Sequence, residues 1–196
     1  MKPMIVHIDD VIPQAWHNGG GQTRELLRWP ICADTPWQLR ISFADIESNG
    51  PFSAFNNVER WFVVVDGAGV ELSFADGKKR LSNTSTPLRF DGGEPPQCEL
   101  IDGTTRDLNL MLQNGSGQMQ TALDRLAWRP AAAQCGLFTA VAGYIHAGLK
   151  PIGPVAAYSL VWFDEVMPVP LIFEALHNAQ QSVGWWMKFT PREQLQ

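Results

Sequence analysis

The clearest pattern in the chain is alternation. Between Trp37 and Ala44, Trp37, Leu39, Ile41 and Phe43 fall on one face, and Gln38, Arg40, Ser42 and Ala44 on the other. A period of two marks a β-strand with two unlike faces. Trp61–Val65 is a compact apolar run. Asp66-Gly67-Ala68-Gly69 leads it into Val70–Phe74, which reads as a hairpin. Asp76-Gly77 marks another turn. Gln97–Ile101, Asp102-Gly103 and Asp107–Leu112 repeat the strand–turn–strand pattern, with Leu108, Leu110 and Leu112 set against Asp107, Asn109 and Met111.

Asn114–Gln118 is rich in Gly and Ser and reads as a joint between halves. Beyond it, Leu137–Ile145, Ala157–Phe163, Leu171–Leu176 and Val183–Phe189 are again strand-like, separated by Pro- and Gly-containing turns. Phe173–Gln181 is ambiguous between strand and helix. Short strands at this spacing predict an all-β barrel or sandwich.

Composition narrows the function classes. Only 18% of the 196 residues are charged, below the usual quarter or so, which implies extensive burial. The net charge is −5, and the densest basic run, Lys78-Lys79-Arg80, sits beside the Gly77 turn. Nucleic-acid binding needs a clustered cationic surface and is not expected. No apolar run is long enough for a membrane span, and Met1–Asp10 does not fit a signal peptide. Cys32, Cys98 and Cys135 are scattered without a C-x-x-C spacing, as in a reduced, cytoplasmic protein. Residues 1–112 hold 10 Lys or Arg against 15 Asp or Glu, and residues 113–196 hold 5 of each. The ionisable groups, and with them the expected site, concentrate in the first half.

The stretch Trp16-His17-Asn18-Gly19-Gly20-Gly21-Gln22-Thr23-Arg24-Glu25 puts bare backbone beside hydrogen-bonding side chains. It suits a small polar ligand held against backbone N–H groups, or a tight loop needing positive φ. This stretch, followed by Trp37–Ser42, Gly50-Pro51-Phe52-Ser53-Ala54-Phe55, Glu59-Arg60-Trp61 and Asp107–Met111, resembles the HutD/Ves family across roughly residues 14–112. The family's commoner opening has Lys where this chain has His17. The resemblance implies a bicupin of the RmlC-like superfamily, two cupin-like jelly-roll β-barrels in one chain. The expected boundaries are 1–113 for the first barrel, with the ligand site, and 114–196 for the second, as scaffold or interface, with strands open to exchange. It also implies a modulating role in bacterial histidine utilisation, without an established enzymatic activity.

The expected ligand set is Arg60, Asn18, Gly19, Gly20, Gly21, Thr23, Arg24, Arg40, Ser42, Ser53, Asp107 and Asn109. Arg60 is central, because a guanidinium grips a carboxylate through two parallel bonds. The alternative for Arg60 is a structural ion pair with Glu59 or another acid. Arg40 with Ser42, and Asp107 with Asn109, share strand faces that look into a pocket or into solvent. Phe52 and Phe55 read as pocket wall or core. His7, His17, His146 and His177 are too dispersed for a cupin metal motif, so neither metal nor cofactor is expected. No nucleophile elbow or paired-carboxylate signature occurs. The function expected is therefore non-enzymatic binding of a small carboxylate such as urocanate, formiminoglutamate or formylglutamate. The alternative is a metal-free cupin-type isomerase or hydrolase using His17 or Glu25 as base. Adjacent Trp185 and Trp186, facing opposite sides of a strand, suggest a homodimer interface or an internal seam.

Overall fold

The computed structural model describes residues 2–31, 35–113, 115–132, 134–177 and 182–192. Its named elements are all β-strands apart from a 3-10 turn at Ile8–Asp10. The chain forms two compact units, Val11–Asn114 and Met1–Asp10 together with Gly115–Gln196. The first ten residues, assigned above to the first half, thus belong with the second. Their strand β1 (Met4–His7) is the reason, as shown below.

The Val11–Asn114 unit holds β2 (Gln14–Ala15), β3 (Gly21–Trp29), β4 (Leu39–Ile46), β5 (Gly50–Pro51), β6 (Glu59–Asp66), β7 (Val70–Phe74), β8 (Gly77–Leu81), β9 (Leu88–Asp91), β10 (Gln97–Leu100) and β11 (Thr105–Leu112). One sheet runs β2-β3-β4-β11-β6-β9 and the other β5-β10-β7-β8. Ile46, Phe62 and Val64 of the first sheet and Val70, Leu72, Leu81 and Cys98 of the second share one buried core. Among the described residues neither sheet closes on itself, so the observed form of this unit is a sandwich of two open sheets.

The expected hairpin from Trp61 to Phe74 does not form. Both edges of β6 are taken, by β11 and β9, so β7 crosses to the other sheet and pairs with β8 and β10. Thr105 fastens this crossing, its hydroxyl accepting from the Gly69 N–H at 3.2 Å and donating to the Gly69 carbonyl at 3.1 Å. The Asp102-Gly103 turn likewise carries the chain from one sheet to the other, because β11 is flanked by β4 and β6. The Asp76-Gly77 turn does close a hairpin, β7 with β8.

The other unit holds β1 with β12 (Gly115–Ala122), β13 (Gln134–Thr139), β14 (Gly143–Ala147), β15 (Lys150–Val155), β16 (Ser159–Phe163), β17 (Leu171–Ala175) and β18 (Gly184–Pro191). Its sheets run β1-β16-β13-β18-β12 and β15-β14-β17. The apolar run Leu137–Ile145 is broken between β13 and β14, which lie in different sheets. Asn114–Gln118, read as a joint, holds the boundary between the two units, and β12 starts directly after it at Gly115. Phe173–Ala175 is strand, and the end of the ambiguous Phe173–Gln181 stretch lies outside the described residues. Large apolar side chains fill this interior: Leu137, Ile145, Val161, Phe163, Leu171 and Phe173 pack with Trp186, which stacks on Trp128 at 4.8 Å between ring centres. Trp185 and Trp186 are each only 2% exposed. The single chain already covers both, so an exposed tryptophan does not mark a subunit interface.

Candidate functional site

Alternation on four adjacent strands builds the site. Side chains directly opposite across a ladder share a face. Asp107 faces Ala44 on β4 and Val64 on β6, Asn109 faces Ser42 and Phe62, and Met111 faces Arg40 and Arg60. On β3, Thr23 and Glu25 continue the first two rows. The opposite face of the same strands carries Leu39, Ile41, Phe43, Leu108 and Leu110, all fully buried. On the polar face Ser42, Asp107 and Asn109 are buried as well, so these residues line an inner wall and not a solvated surface.

A cavity of about 600 Å³ opens on this wall. Arg40, Ser42, Arg60, Asp107, Asn109 and Thr23 line it from the sheet, and Asn18 and Ser53 from the loops. Eight of the expected ligand residues thus meet around one space within a single unit. His17 and Asn18 are exposed at its rim. Trp16, Phe52 and Phe55 supply its aromatic surface.

Arg60 is 6% exposed, unusual for a guanidinium. Its Nη2 donates to Asn109 Oδ1 at 2.6 Å, and its Nε is buried without a hydrogen-bond partner. Among the described residues it makes no direct ion pair. Glu59, its sequence neighbour, instead accepts from Arg89 and from Trp61 Nε1. The Arg60 guanidinium carbon lies 5.0 Å from the ring centre of Phe52, 5.1 Å from Phe90 and 5.9 Å from Phe55. Such rings attract a cation through their quadrupole but cannot replace the water it has lost. Burial accordingly lowers the guanidinium to about 10, against the attraction of Asp107. Gly92 makes this arrangement possible: a Cβ there would lie 2.8 Å from the Val58 carbonyl oxygen, 2.9 Å from that of Phe55 and 3.3 Å from Arg60 Cγ.

Asp107 is fixed through Asn109, whose Nδ2 donates to Asp107 Oδ1. Burial pushes the Asp107 carboxyl up to about 7, opposed by the Arg60 charge and by the Asn109 hydrogen bond. Arg106, the adjacent arginine, does not reach it and pairs with Asp45 and Asp66 on the other face. Arg40 donates from Nε to Glu25 Oε2 at 2.6 Å, which occupies one of the two residues considered as a base.

The glycine loop departs from expectation. The Gly19 N–H donates to the Trp16 carbonyl at 3.0 Å, and the Gly20 N–H to Asn18 Oδ1 at 3.0 Å. These donors hold the loop itself and are not free for a ligand. Gly21 is required by close approach, since a Cβ would sit 2.2 Å from the Asp45 carbonyl oxygen. Gly19, Gly20 and Gly21 do not line the cavity. What the loop delivers to it is side chains, with Trp16 Nε1 donating to Thr23 Oγ1 at 2.7 Å. Arg24 is also off the cavity: its Nη1 donates to Asp45 Oδ2 at 2.7 Å, beside Gln22 at 2.8 Å. It faces the side opposite Thr23, as adjacent strand residues must.

Residues 9–163 match the family described as HutD. The chain belongs to the HutD family. It is 30% identical over 151 residues to Protein Ves of Cronobacter sakazakii, covering 76% of this chain and 81% of that one. It is 32% identical over 107 residues to an uncharacterized 21.2 kDa protein in the hutC 3′ region of Pseudomonas putida, covering 55% and 56%. Two solved structures share the fold of this HutD-family chain. A conserved protein of unknown function from Pseudomonas aeruginosa PAO1 superposes with a TM-score of 0.84 at 23% identity, covering 97% of this chain and all of that one. HutD from Pseudomonas fluorescens, in a formate condition, superposes with 0.82 at 22%, covering 96% and 98%. A more distant likeness, TM-score 0.63 at 8% identity over 98% and 87%, is to an oxalate decarboxylase–formate complex from Lactobacillus farciminis. It carries the cupin-like fold alone.

Sequence reasoning missed Met111 and Trp16 as wall residues. Met111 was within reach, since it continues the alternation of Asp107 and Asn109. Phe90 of β9 gave no signal; only the β6–β9 ladder, which pairs it with Arg60, brings it there. Among the described residues no three His, Cys, Asp or Glu side chains group so as to hold a metal ion. Nor, among the described residues, is any helix long and apolar enough to cross a membrane. Cys98 and Cys135 are buried free thiols, each pushed up to about 12, chiefly by burial. Cys32 lies outside the described residues.

Proposed function

We propose that the cavity binds a small carboxylate at Arg60, and that the protein modulates histidine utilisation by sensing or sequestering that ligand in the cytoplasm. The observation that carries the reading is the state of Arg60: a buried guanidinium, an unpartnered Nε, and a single neutral hydrogen-bond acceptor, on the wall of a cavity large enough for a metabolite. A buried cation in this condition is strongly improved by an anion that can take the free side of its fork. Ser42, Thr23, Ser53 and Asn18 stand round the rest of the cavity as neutral hydrogen-bonding groups. Trp16, Phe52 and Phe55 match a flat or aliphatic body. The bicupin reading, with each sandwich a jelly-roll barrel and only the first carrying a site, fits the apolar filling of the second unit.

The family name and the hutC-neighbouring relative make urocanate, formiminoglutamate and formylglutamate the first ligands to try. Thermal melts of the full chain with each acid test the reading. A ligand at a hundredfold excess over its dissociation constant adds about 2.7 kcal/mol of stability. The expected result is a raised Tm with at least one of the three, abolished in Arg60→Met. No shift with any, or a shift retained in Arg60→Met, overturns the reading.

A second reading, a metal-free isomerase or hydrolase, has one observation in its favour: the Asp107 carboxyl, held near neutrality inside the cavity, has the pKa of a general base. NMR of the three acids incubated with the pure protein separates the two readings. Turnover that is lost in Asp107→Asn favours the enzyme.

A further inference from the structure

We propose that the cavity takes up its anion together with a proton, and that the proton settles on Asp107. This rests on the reading of Arg60 as the anion site. Arg60 and Asp107 line the same cavity and are joined through one residue, Asn109, whose amide is polarised by both: its oxygen accepts from Arg60 and its nitrogen donates to Asp107. Asp107 is the buried counter-charge to Arg60, at 2% exposure against 6%. A ligand carboxylate docking on Arg60 becomes a second anion beside the same cation, with little water to screen it from Asp107. Two carboxylates sharing one site do not both stay ionised, and the more buried one takes the proton. Protonated Asp107 removes that repulsion. Its second oxygen then becomes a donor towards the ligand.

The charged and titratable groups around Asp107 support this assignment. Arg60 faces it from β6, and Arg40 lies further along the same wall on β4, held by Glu25 of β3. Asp45, on the far face of β4, acts on it as a like charge. Cys98 of β10 faces it as a neutral thiol, since burial and Asp107 itself push it up to about 12. His17 also lines the cavity, exposed at its rim. Because burial already holds the free Asp107 carboxyl at about 7, the proton transfer falls within the physiological range. Below that value the proton is present before the ligand arrives, and affinity is flat with pH. Above it each binding event must import a proton, so affinity falls by up to about tenfold per pH unit.

Isothermal titration of the full chain with formylglutamate and with formate tests the proposal, neither acid having a group that ionises between about pH 6 and 9. Runs in two buffers of unlike ionisation enthalpy report the protons taken up. The expected result at pH 8 is an uptake approaching about one proton per anion and about fivefold weaker binding than at pH 7. Asp107→Asn should bind with no uptake and no pH dependence, and His17→Asn should retain the uptake. Should Asp107→Asn fail to fold, the 13C titration of the Asp107 carboxyl in the wild-type chain must move to higher pH on adding formate. Binding without proton uptake, uptake that persists in Asp107→Asn, or an unmoved carboxyl titration overturns the inference and leaves the anion site standing. If neither acid gives heat or a Tm shift at any pH, both fall.

Discussion

Arg40 and Arg60 are both in register with Met111, one on each strand flanking it. Two guanidiniums therefore share one wall, their backbones separated by two inter-strand spacings of ~4.8 Å each. Arg40 is one of the groups that depress the Arg60 guanidinium. A ligand with carboxylates at both ends can satisfy the pair. Arg40→Gln should weaken formiminoglutamate and formylglutamate by about tenfold and urocanate, with one carboxylate, by less than about threefold, given ~1.5–3 kcal/mol for a charged hydrogen bond. Calorimetric titration of the three acids checks this.

Arg60→Lys should fail to rescue binding. A lysine keeps the charge but offers a point instead of a planar fork, and its shorter reach cannot both hold Asn109 and present two donors. The expected loss is on the order of tenfold or more in affinity, measured alongside a melt showing that the variant folds.

Asp107 makes stability depend on pH with a definite sign. Its folded-state carboxyl, at about 7, lies above the model-compound value of 3.8, so between these values the folded chain binds more protons than the unfolded chain. Its contribution is most favourable near pH 4 and is lost as pH rises to about 7, an effect of up to about 4 kcal/mol at ~1.4 kcal/mol per tenfold. Asp107→Asn should gain over wild type across that window, with the difference level above it. Urea denaturation at pH 5 and pH 8 gives the comparison.

Asp45 has the opposite sign. Burial alone would raise its carboxyl, but hydrogen bonds from Arg24 and Gln22 and the charges of Arg24 and Arg106 hold it below the ordinary value. Its stabilisation is complete above pH 4 or so and is lost as the medium is acidified through its folded-state value. Asp45→Asn leaves Arg24, with a side chain 16% exposed, without its acid. A loss on the order of 1–3 kcal/mol is expected at pH 7, and the gap to wild type should narrow towards pH 3 in the same denaturation assay.

Gly92→Ala should disturb the site from behind. The added methyl meets two carbonyl oxygens inside 3.0 Å, so the Phe55–Val58 segment or β9 must shift, and the rings around Arg60 with it. Weaker carboxylate binding and a lower Tm, by the ~1–3 kcal/mol typical of overpacking, are expected together. An unchanged Tm would show that the segment yields freely.

The sequence made the strand faces around the cavity readable, because alternation is local. Arg40 with Ser42, and Asp107 with Asn109, follow from spacing alone, and the HutD motif located Arg60. Pairing was not readable. An Asp-Gly turn between apolar runs looks the same whether the chain folds back on itself or steps across to another sheet. The choice at Asp66–Gly69 was made by distant strands already occupying β6. The roles of Gly19 and Gly20 were misread for a related reason: glycine signals backbone freedom, but not whether the freed N–H groups turn inward to the loop or outward to a ligand. Arg24 lies off the cavity because β3 already begins at Gly21, and one residue of strand suffices to reverse a side chain's face.

Strand β1 pairs with β16 residue by residue, from Met4 opposite Trp162 to His7 opposite Ser159. The amino terminus is thereby a clasp that a simple split of the chain would open. A fragment ending near residue 113 would carry four residues made for an absent neighbour, and its complement would present β16 as a raw edge, open to pairing with whatever chain came next. Dissecting this protein into working halves therefore calls for circular permutation, with the first ten residues moved behind the last.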